Sequence, residues 1–273
     1  MLFRHHTSRL RFRPPVQGEE LIRFEHLRKS FGPKRVYDDL LLSVYAGETL
    51  TVIGGSGSGK SVLLKCLIGL LRPDDGCIFF EGQELGGFHE EDFFELRKHV
   101  AMVFQGAALF DSLTVGENIA YPLREHFPDM PPAEMWDRVA QKLKLVDLPG
   151  IEDMRPADLS GGMKKRVGLA RAIATDPEVI LWDEPTTGLD PVTTENINQM
   201  IRSMQKQLGC TSIVVTHDMM SAFTVSDRIA MLANRRIVQA GTPEEMRAST
   251  VPEVRAFLDA RRQERQPQEE VAR

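Results

Sequence analysis

Two stretches of this chain combine glycine, hydroxyl and basic residues in an order suited to holding phosphate. The first runs Gly54-Gly55-Ser56-Gly57-Ser58-Gly59-Lys60-Ser61 and is followed by Val62; it fits G-x-x-x-x-G-K-[ST] without a gap. Glycines at this spacing let successive backbone N–H groups wrap an anion, Lys60 can reach the β and γ phosphates of a nucleotide, and the Ser61 hydroxyl can ligate Mg²⁺. A dinucleotide fingerprint is excluded, because counted from Gly55 or Gly57 its last glycine position falls on Lys60 or Val62. The second stretch, DLSGGMKKRVGLARA at 158 to 172, sets Ser160, Gly161 and Gly162 before a basic helix. A capping serine and glycines at a helix N-terminus again form an anion site.

Other residues supply what a phosphate loop needs next. The apolar run Val179-Ile180-Leu181-Trp182 ends in Asp183-Glu184. At the end of a buried strand Asp183 can hold Mg²⁺, and Glu184 can orient and deprotonate the water that attacks a γ phosphate. Such a pair could also simply cap the turn at Pro185; the phosphate loop decides for chemistry. His217 closes the run TSIVVT in the same way, and its significance rests on its company. A second glycine-bearing helix N-terminus is redundant if one subunit closes round its own nucleotide. It makes sense if it meets the nucleotide of another copy, so that ATP joins two copies and hydrolysis releases them.

These residues need elements to carry them. LIRFEHL from Leu21 alternates, and LLLSVYAGE leads into TLTVIGG, a β-rich run ended by glycines. SVLLKCLIGLL then has helical length and apolar spacing. The runs ending at Asp183 and His217 read as buried parallel strands that deliver polar residues at their carboxyl ends. Residues 90 to 175 read mostly as helices punctuated by Pro128, Pro131, Pro132, Pro149 and Pro156. The expected organisation is a basic leader at 1 to 18, with Arg4, Arg9, Arg11 and Arg13, then an α/β domain at 19 to 248 and a C-terminal extension at 249 to 273. Apolar Val254, Phe257 and Leu258 in that extension raise the expectation of a helix reaching a partner protomer.

The 273 residues, 42% of them hydrophobic, suffice for a large α/β core. A net charge of −5 argues against a dedicated nucleic-acid binder. No run approaches the apolar length of a membrane span, and the first residues lack the apolar core of a signal peptide. Cys66, Cys77 and Cys210 lack metal-ligand spacing, which favours small buried hydrophobes in a reducing, cytoplasmic setting.

Taken in order, the motifs resemble those of the ATP-binding subunits of ABC transporters over about residues 20 to 245. Residues 54 to 61 match the Walker A loop, Gln105 in MVFQGAALF the Q-loop, and LSGGM at 159 to 163 the signature. Residues 179 to 184 match Walker B, TTGLD ending at Asp190 the D-loop, and His217 in VVTHD the H-loop. The resemblance implies a P-loop NTPase core with an N-terminal antiparallel β portion and an inserted helical subdomain at about 90 to 175. It further implies a homodimer holding two ATP and Mg²⁺ at its interface, with Glu184 as general base and His217 at the γ phosphate. Gln105 would sense Mg²⁺ while linking the site to a membrane permease, Asp190 would act across the interface, and Phe31 in KSFG would stack on adenine. Met163 departs from the glutamine usual at its position, and a thioether cannot donate a hydrogen bond.

VFQGAALFDSLTVGENIAYPLREH at 103 to 126 and the C-terminal VRAFLDARRQE narrow the resemblance to the branch serving MCE-type, Mla-like phospholipid transport. That implies a peripheral subunit on the cytoplasmic face of an inner membrane, a permease docked near Leu109, Phe110 and Leu113, an MCE-domain lipid-binding partner and phospholipid as cargo. An importer ATPase for a polar solute stays open, since cargo is chosen by other subunits. A non-transport ABC ATPase is disfavoured by the lack of a coiled-coil insert or tandem ATPase domains. A binding module without hydrolysis is disfavoured because Glu184 and His217 are both present.

Overall fold

The computed structural model describes residue 12 and residues 15 to 263. Of the leader expected at 1 to 18, residues 1 to 11, 13 and 14, with all four arginines, lie outside the described residues.

Strands β1 (Glu20–Phe31) and β2 (Lys34–Tyr45) form an antiparallel hairpin. They meet at Gly32, whose φ of 56° is one that glycine adopts without steric cost. Strand β3 (Thr49–Ile53) is buried along its whole length and runs through the phosphate loop into α1 (Lys60–Leu67). Then come β4 (Asp75–Phe80) and β5 (Gln83–Glu84), which extend the hairpin to a four-stranded antiparallel sheet of order β2-β1-β4-β5. Helix α2 (Glu90–His99) carries three acidic residues in its first turn and three basic ones in its last, the arrangement its macrodipole favours.

Strand β6 (Val100–Val103) follows directly. The segment from 90 to 175 was expected to be mostly helical, and this strand is the exception: it forms the far edge of the second sheet. Four residues with no turn signal on either side carry no period that separates strand from helix. Helices α3 (Val115–His126), α4 (Pro132–Leu145) and α5 (Gly161–Ala172) make up the rest. Thr114 and Glu117 form a capping box on α3, Pro132 sits in the first turn of α4, and Ser160 caps α5.

The remaining elements are β7 (Val179–Asp183), α6 (Pro191–Leu208), β8 (Thr211–Thr216), α7 (Met219–Val225), β9 (Arg228–Ala233), β10 (Arg236–Gly241), α8 (Pro243–Arg247) and α9 (Pro252–Gln263). The second sheet has the order β10-β9-β3-β8-β7-β6, parallel except for β10. Its parallel strands end on one edge, so the loops after β3, β6, β7 and β8 gather there.

Alternate residues of the central strands face two cores, as the twofold period of a strand requires. Val179, Leu181, Ile213 and Val215 join β1, β2 and α1 in one cluster. Ile180, Trp182 and Val214 join the helices α3, α4, α5 and α6 in another. Strands buried on both faces read as continuous apolar runs, and polar residues within them find partners, the hydroxyl of Thr49 in β3 being an exception. Trp182 Nε1 donates to Ser212 Oγ at 3.3 Å, and Ser226 Oγ donates to Thr51 Oγ1 at 2.5 Å.

A third, smaller cluster lies under α8 and α9. Val254 is buried in it, and Phe257 and Leu258 pack against it. The helix expected in the C-terminal extension is present as α9, and these apolar positions pack on the chain's own α7, β9 and β10, Phe257 and Leu258 only in part.

Candidate functional site

The phosphate loop is shaped by what its glycines avoid. Gly59 has φ 109°, and a Cβ there would lie 2.4 Å from Val36 Cγ1 and 3.0 Å from Tyr37 Cε1. A Cβ on Gly54 would lie 2.5 Å from the Leu232 carbonyl oxygen. Gly57 also sits at positive φ, 71°. Tyr37 closes the loop from behind by donating its hydroxyl to the Gly59 carbonyl at 2.5 Å, and burial pushes that phenol far above its usual pKa.

Lys60 opens α1 and is 6% exposed, with Nζ donating to the carbonyls of Gly54 at 3.0 Å and Gly55 at 3.3 Å. The same nitrogen stands 3.5 Å from Glu184 Oε1. Ser61 Oγ donates to Asp183 Oδ1 at 2.5 Å, bringing the loop hydroxyl and the strand-end carboxylate together. Both are oxygens of the kind a hard cation takes. The backbone of Ser56, Gly57 and Gly59 and the side chains of Lys60 and Ser61 face one cleft, the donor set that a polyphosphate takes. These residues fit ATP and Mg²⁺.

Glu184 follows the last residue of β7 and has φ 51°, a left-handed conformation uncommon for a side chain of its type. Its backbone N–H still donates to the Val215 carbonyl at 2.9 Å. By strand alternation its side chain belongs with Trp182, toward the helical core. The positive φ breaks that alternation and accompanies a side chain set beside Lys60. Oε2 accepts from Thr187 Oγ1 at 3.1 Å and lies 2.8 Å from His217 Nδ1, with Thr216 Oγ1 and the His217 N–H at 3.4 Å. With Glu184 ionised the carboxylate only accepts, so Nδ1 carries the proton.

Around this centre lies a cleft of about 460 Å³ lined by Phe31, Ser56, Gly57, Gly59, Lys60, Ser61, Val62, Gln105, Glu184 and His217. The structure thus brings together most of the residues the sequence singled out. Phe31 is 45% exposed, which separates it from a core phenylalanine, and Lys29 Nζ lies 5.3 Å from its ring centroid. Lys34 and Val36 also line the cleft. Sequence reading missed them, although alternation along β2 puts Val36 on the buried face.

Ser160, Gly161, Gly162, Met163 and Asp190 do not line this cleft. Ser160 Oγ accepts from the Met163 N–H at 3.3 Å, capping α5, and the Met163 side chain is partly buried against the helical core. Asp190 caps α6 by accepting from the N–H groups of Val192 and Thr193, each at 3.0 Å, and from Thr193 Oγ1 at 2.5 Å. Those hydrogen bonds hold its carboxyl below the usual range. Helix α5 also grips the loop after Gln105. Arg171 donates to the carbonyls of Ala107 and Ala108, both at 2.8 Å, and a Cβ on Gly168 would meet the Ala107 carbonyl at 3.1 Å.

Comparison with known proteins agrees with this geometry. The family model for "ABC transporter" matches residues 37 to 187. The probable ribonucleotide transport ATP-binding protein mkl of Mycobacterium tuberculosis (strain H37Rv) is 42% identical over 94% of this chain and 72% of its own length. The intermembrane phospholipid transport system ATP-binding protein MlaF of Escherichia coli K12 is 38% identical over 84% of each chain. A solved structure, the dimeric post-hydrolysis state of the ATP-binding cassette MJ0796 bound to ADP and Pi, superposes with a TM-score of 0.75 at 29% identity, over 82% of this chain and 99% of that one. Among the described residues no helix is long and apolar enough to cross a membrane. The chain belongs to the ABC transporter family, as an ATP-binding, ATP-hydrolysing subunit that works with Mg²⁺.

Proposed function

We propose that this subunit powers phospholipid movement between two membranes as a homodimer bound to a permease, with an MCE-domain protein as a further partner, from the cytoplasmic face of an inner membrane. The observation that carries the catalytic part is the convergence of Lys60, Ser61, Asp183, Glu184 and His217 at one sheet edge. The backbone of residues 54 to 62 and Lys60 bind the triphosphate, and Phe31 stacks on the base. Ser61, Asp183 and Gln105 would hold Mg²⁺, which would supply charge neutralisation at the phosphates. Glu184 takes the proton of the attacking water, and His217, oriented by its Nδ1 contact to Glu184, meets the γ phosphate through its other ring nitrogen, which donates to it when both ring nitrogens carry protons. Ser160, Gly161 and Gly162, turned away from their own cleft, close the partner's nucleotide, Met163 packs behind them, and Asp190 acts across the same interface.

An apolar groove of about 400 Å³ supports the permease reading. It is lined by Leu70, Phe104, Phe110, Tyr121, Pro122 and His126 among others, and it is continuous with the loop that follows Gln105. With no membrane-crossing helix among the described residues, coupling to a bilayer requires such a partner. The 38% identity to an intermembrane phospholipid transport ATPase supports the lipid cargo. A polar-solute reading is favoured instead by the relative named for ribonucleotide transport.

Glu184→Gln keeps shape but removes the base, so ATP hydrolysis should fall by about a hundredfold or more and an ATP-bound dimer should accumulate on a sizing column. Parental turnover in that variant rejects the assignment. Purification of the tagged protein from detergent-solubilised membranes, with mass spectrometry of retained proteins and lipids, tests the cargo. A permease with an MCE-domain protein and phospholipid supports lipid transport; a permease with a solute-binding protein replaces it with import.

A further inference from the structure

Two lysines, Lys164 and Lys165, follow the glycines at the start of α5, and the reaction as described gives Lys165 no part. The structure shows it bridging two elements. Lys165 Nζ donates to the carbonyl of Pro185 at 3.0 Å and to that of Thr187 at 2.7 Å. Thr187 Oγ1 in turn donates to Glu184 Oε2 at 3.1 Å. Three residues therefore connect the helix capped by Ser160 to the carboxylate beside Lys60.

The bridge is made of strong parts. An ammonium donating to two backbone carbonyls forms charge-assisted hydrogen bonds, stronger than neutral ones. Burial lowers the pKa of Lys165, and removal from water raises the cost of leaving these donors unmet. The surroundings are closely packed. A Cβ on Gly162 would lie 3.2 Å from Thr193 Cγ2 in the first turn of α6, the turn that Asp190 caps. The N-termini of α5 and α6 and the loop between Glu184 and Asp190 thus pack as one unit.

We infer that Lys165 is a positioning residue that makes the loop from Glu184 to Asp190 move with the Ser160 end of α5. Contact between Ser160 and a nucleotide held by a second copy is then felt at the carboxylate serving this chain's own nucleotide. The inference rests on the dimeric ATPase reading above and adds a mechanical link between its two nucleotide sites within one protomer. It requires no group beyond this chain's own residues.

The test uses the full-length protein with Lys165→Met, which keeps the aliphatic stem and loses the donors, and Lys165→Gln, which keeps N–H donors. Lys165→Met should lower kcat for ATP about tenfold with KM within about twofold of the parent, and Lys165→Gln should recover most of that loss. Parental kcat in Lys165→Met overturns the inference, as does a loss confined to KM. So does a loss that Lys165→Gln fails to rescue when both variants melt at the parental temperature, because that pattern belongs to packing alone. Should Lys165→Met fail to fold, Thr187→Val carries the test: it cuts the last link and should give the same kcat-selective loss, whereas parental kcat overturns the link. Failure of the ATPase reading itself looks different, as hydrolysis that survives Glu184→Gln.

Discussion

Glu184 and Gly59 show how much of the site is decided by single backbone torsions. Glu184 departs from strand alternation through a φ of 51°, and Gly59 lets Val36 and Tyr37 approach closer than any side chain at position 59 permits. Gly59→Ala adds a methyl 2.4 Å from Val36 Cγ1 at a φ of 109°, so it should lower stability by about 2–4 kcal/mol. ATP affinity should fall with it; a chemical-denaturation curve matching the parent counts against this picture of the loop. The glycine and lysine pattern was legible in the sequence because no common alternative uses it. Lys34 and Val36 were not, since their part in the cleft depends on β2 passing behind the loop, which the sequence of β2 does not state. In the sequence Lys165 reads as one charge of a basic helix; its carbonyl partners at Pro185 and Thr187 lie 20 and 22 residues away and carry no side-chain signature.

At the scale of elements, the end of α3 packs on α2 through His126. His126 lies with its ring centroid 4.5 Å from that of Phe94, and its Nδ1 is buried without a partner. Burial, with Lys98 and Arg97 nearby and Glu95 partly opposing them, lowers its pKa below 6.5. The folded form therefore binds fewer protons than the unfolded one. Stability from this group is present above about pH 6.5 and is lost as pH falls through the folded pKa. The urea midpoint of the parent should drop between pH 7.5 and pH 5.5 by more than that of His126→Phe, and equal drops reject the assignment. The helices were legible through the capping Ser160 and through proline punctuation, whereas the Thr114 cap of α3 emerges only in the structure. Strand β6 was not, being a four-residue run, and the periodicity of α9 gives amphipathicity but not the surface it covers.

Across the whole molecule, burial sorts the three cysteines. Cys66 and Cys210 are buried, and burial pushes each thiol up to about 11, while Cys77 lies partly exposed in β4. At pH 8 a thiol reagent should modify Cys77 in the native protein and leave the other two until denaturant is added; modification of Cys66 or Cys210 at the rate of Cys77 defeats this. The general architecture was legible because the runs ending in Asp183 and His217 announce parallel strands. Sheet order was not, since β3 pairs with β8 and β9, far along the chain. That order has a consequence during synthesis. Thr49, at the start of β3, donates its N–H to Asp227, 178 residues later, and Gly47 bonds to Thr211, 164 residues later. When the ribosome has finished the phosphate loop, neither strand that flanks it exists, and the nascent segment must wait through most of translation with its apolar strand unpaired. The nucleotide motif is complete in the polypeptide long before it is complete in space, and a growing chain stopped short of Thr211 would carry every glycine of the loop and no β8 or β9 to flank it.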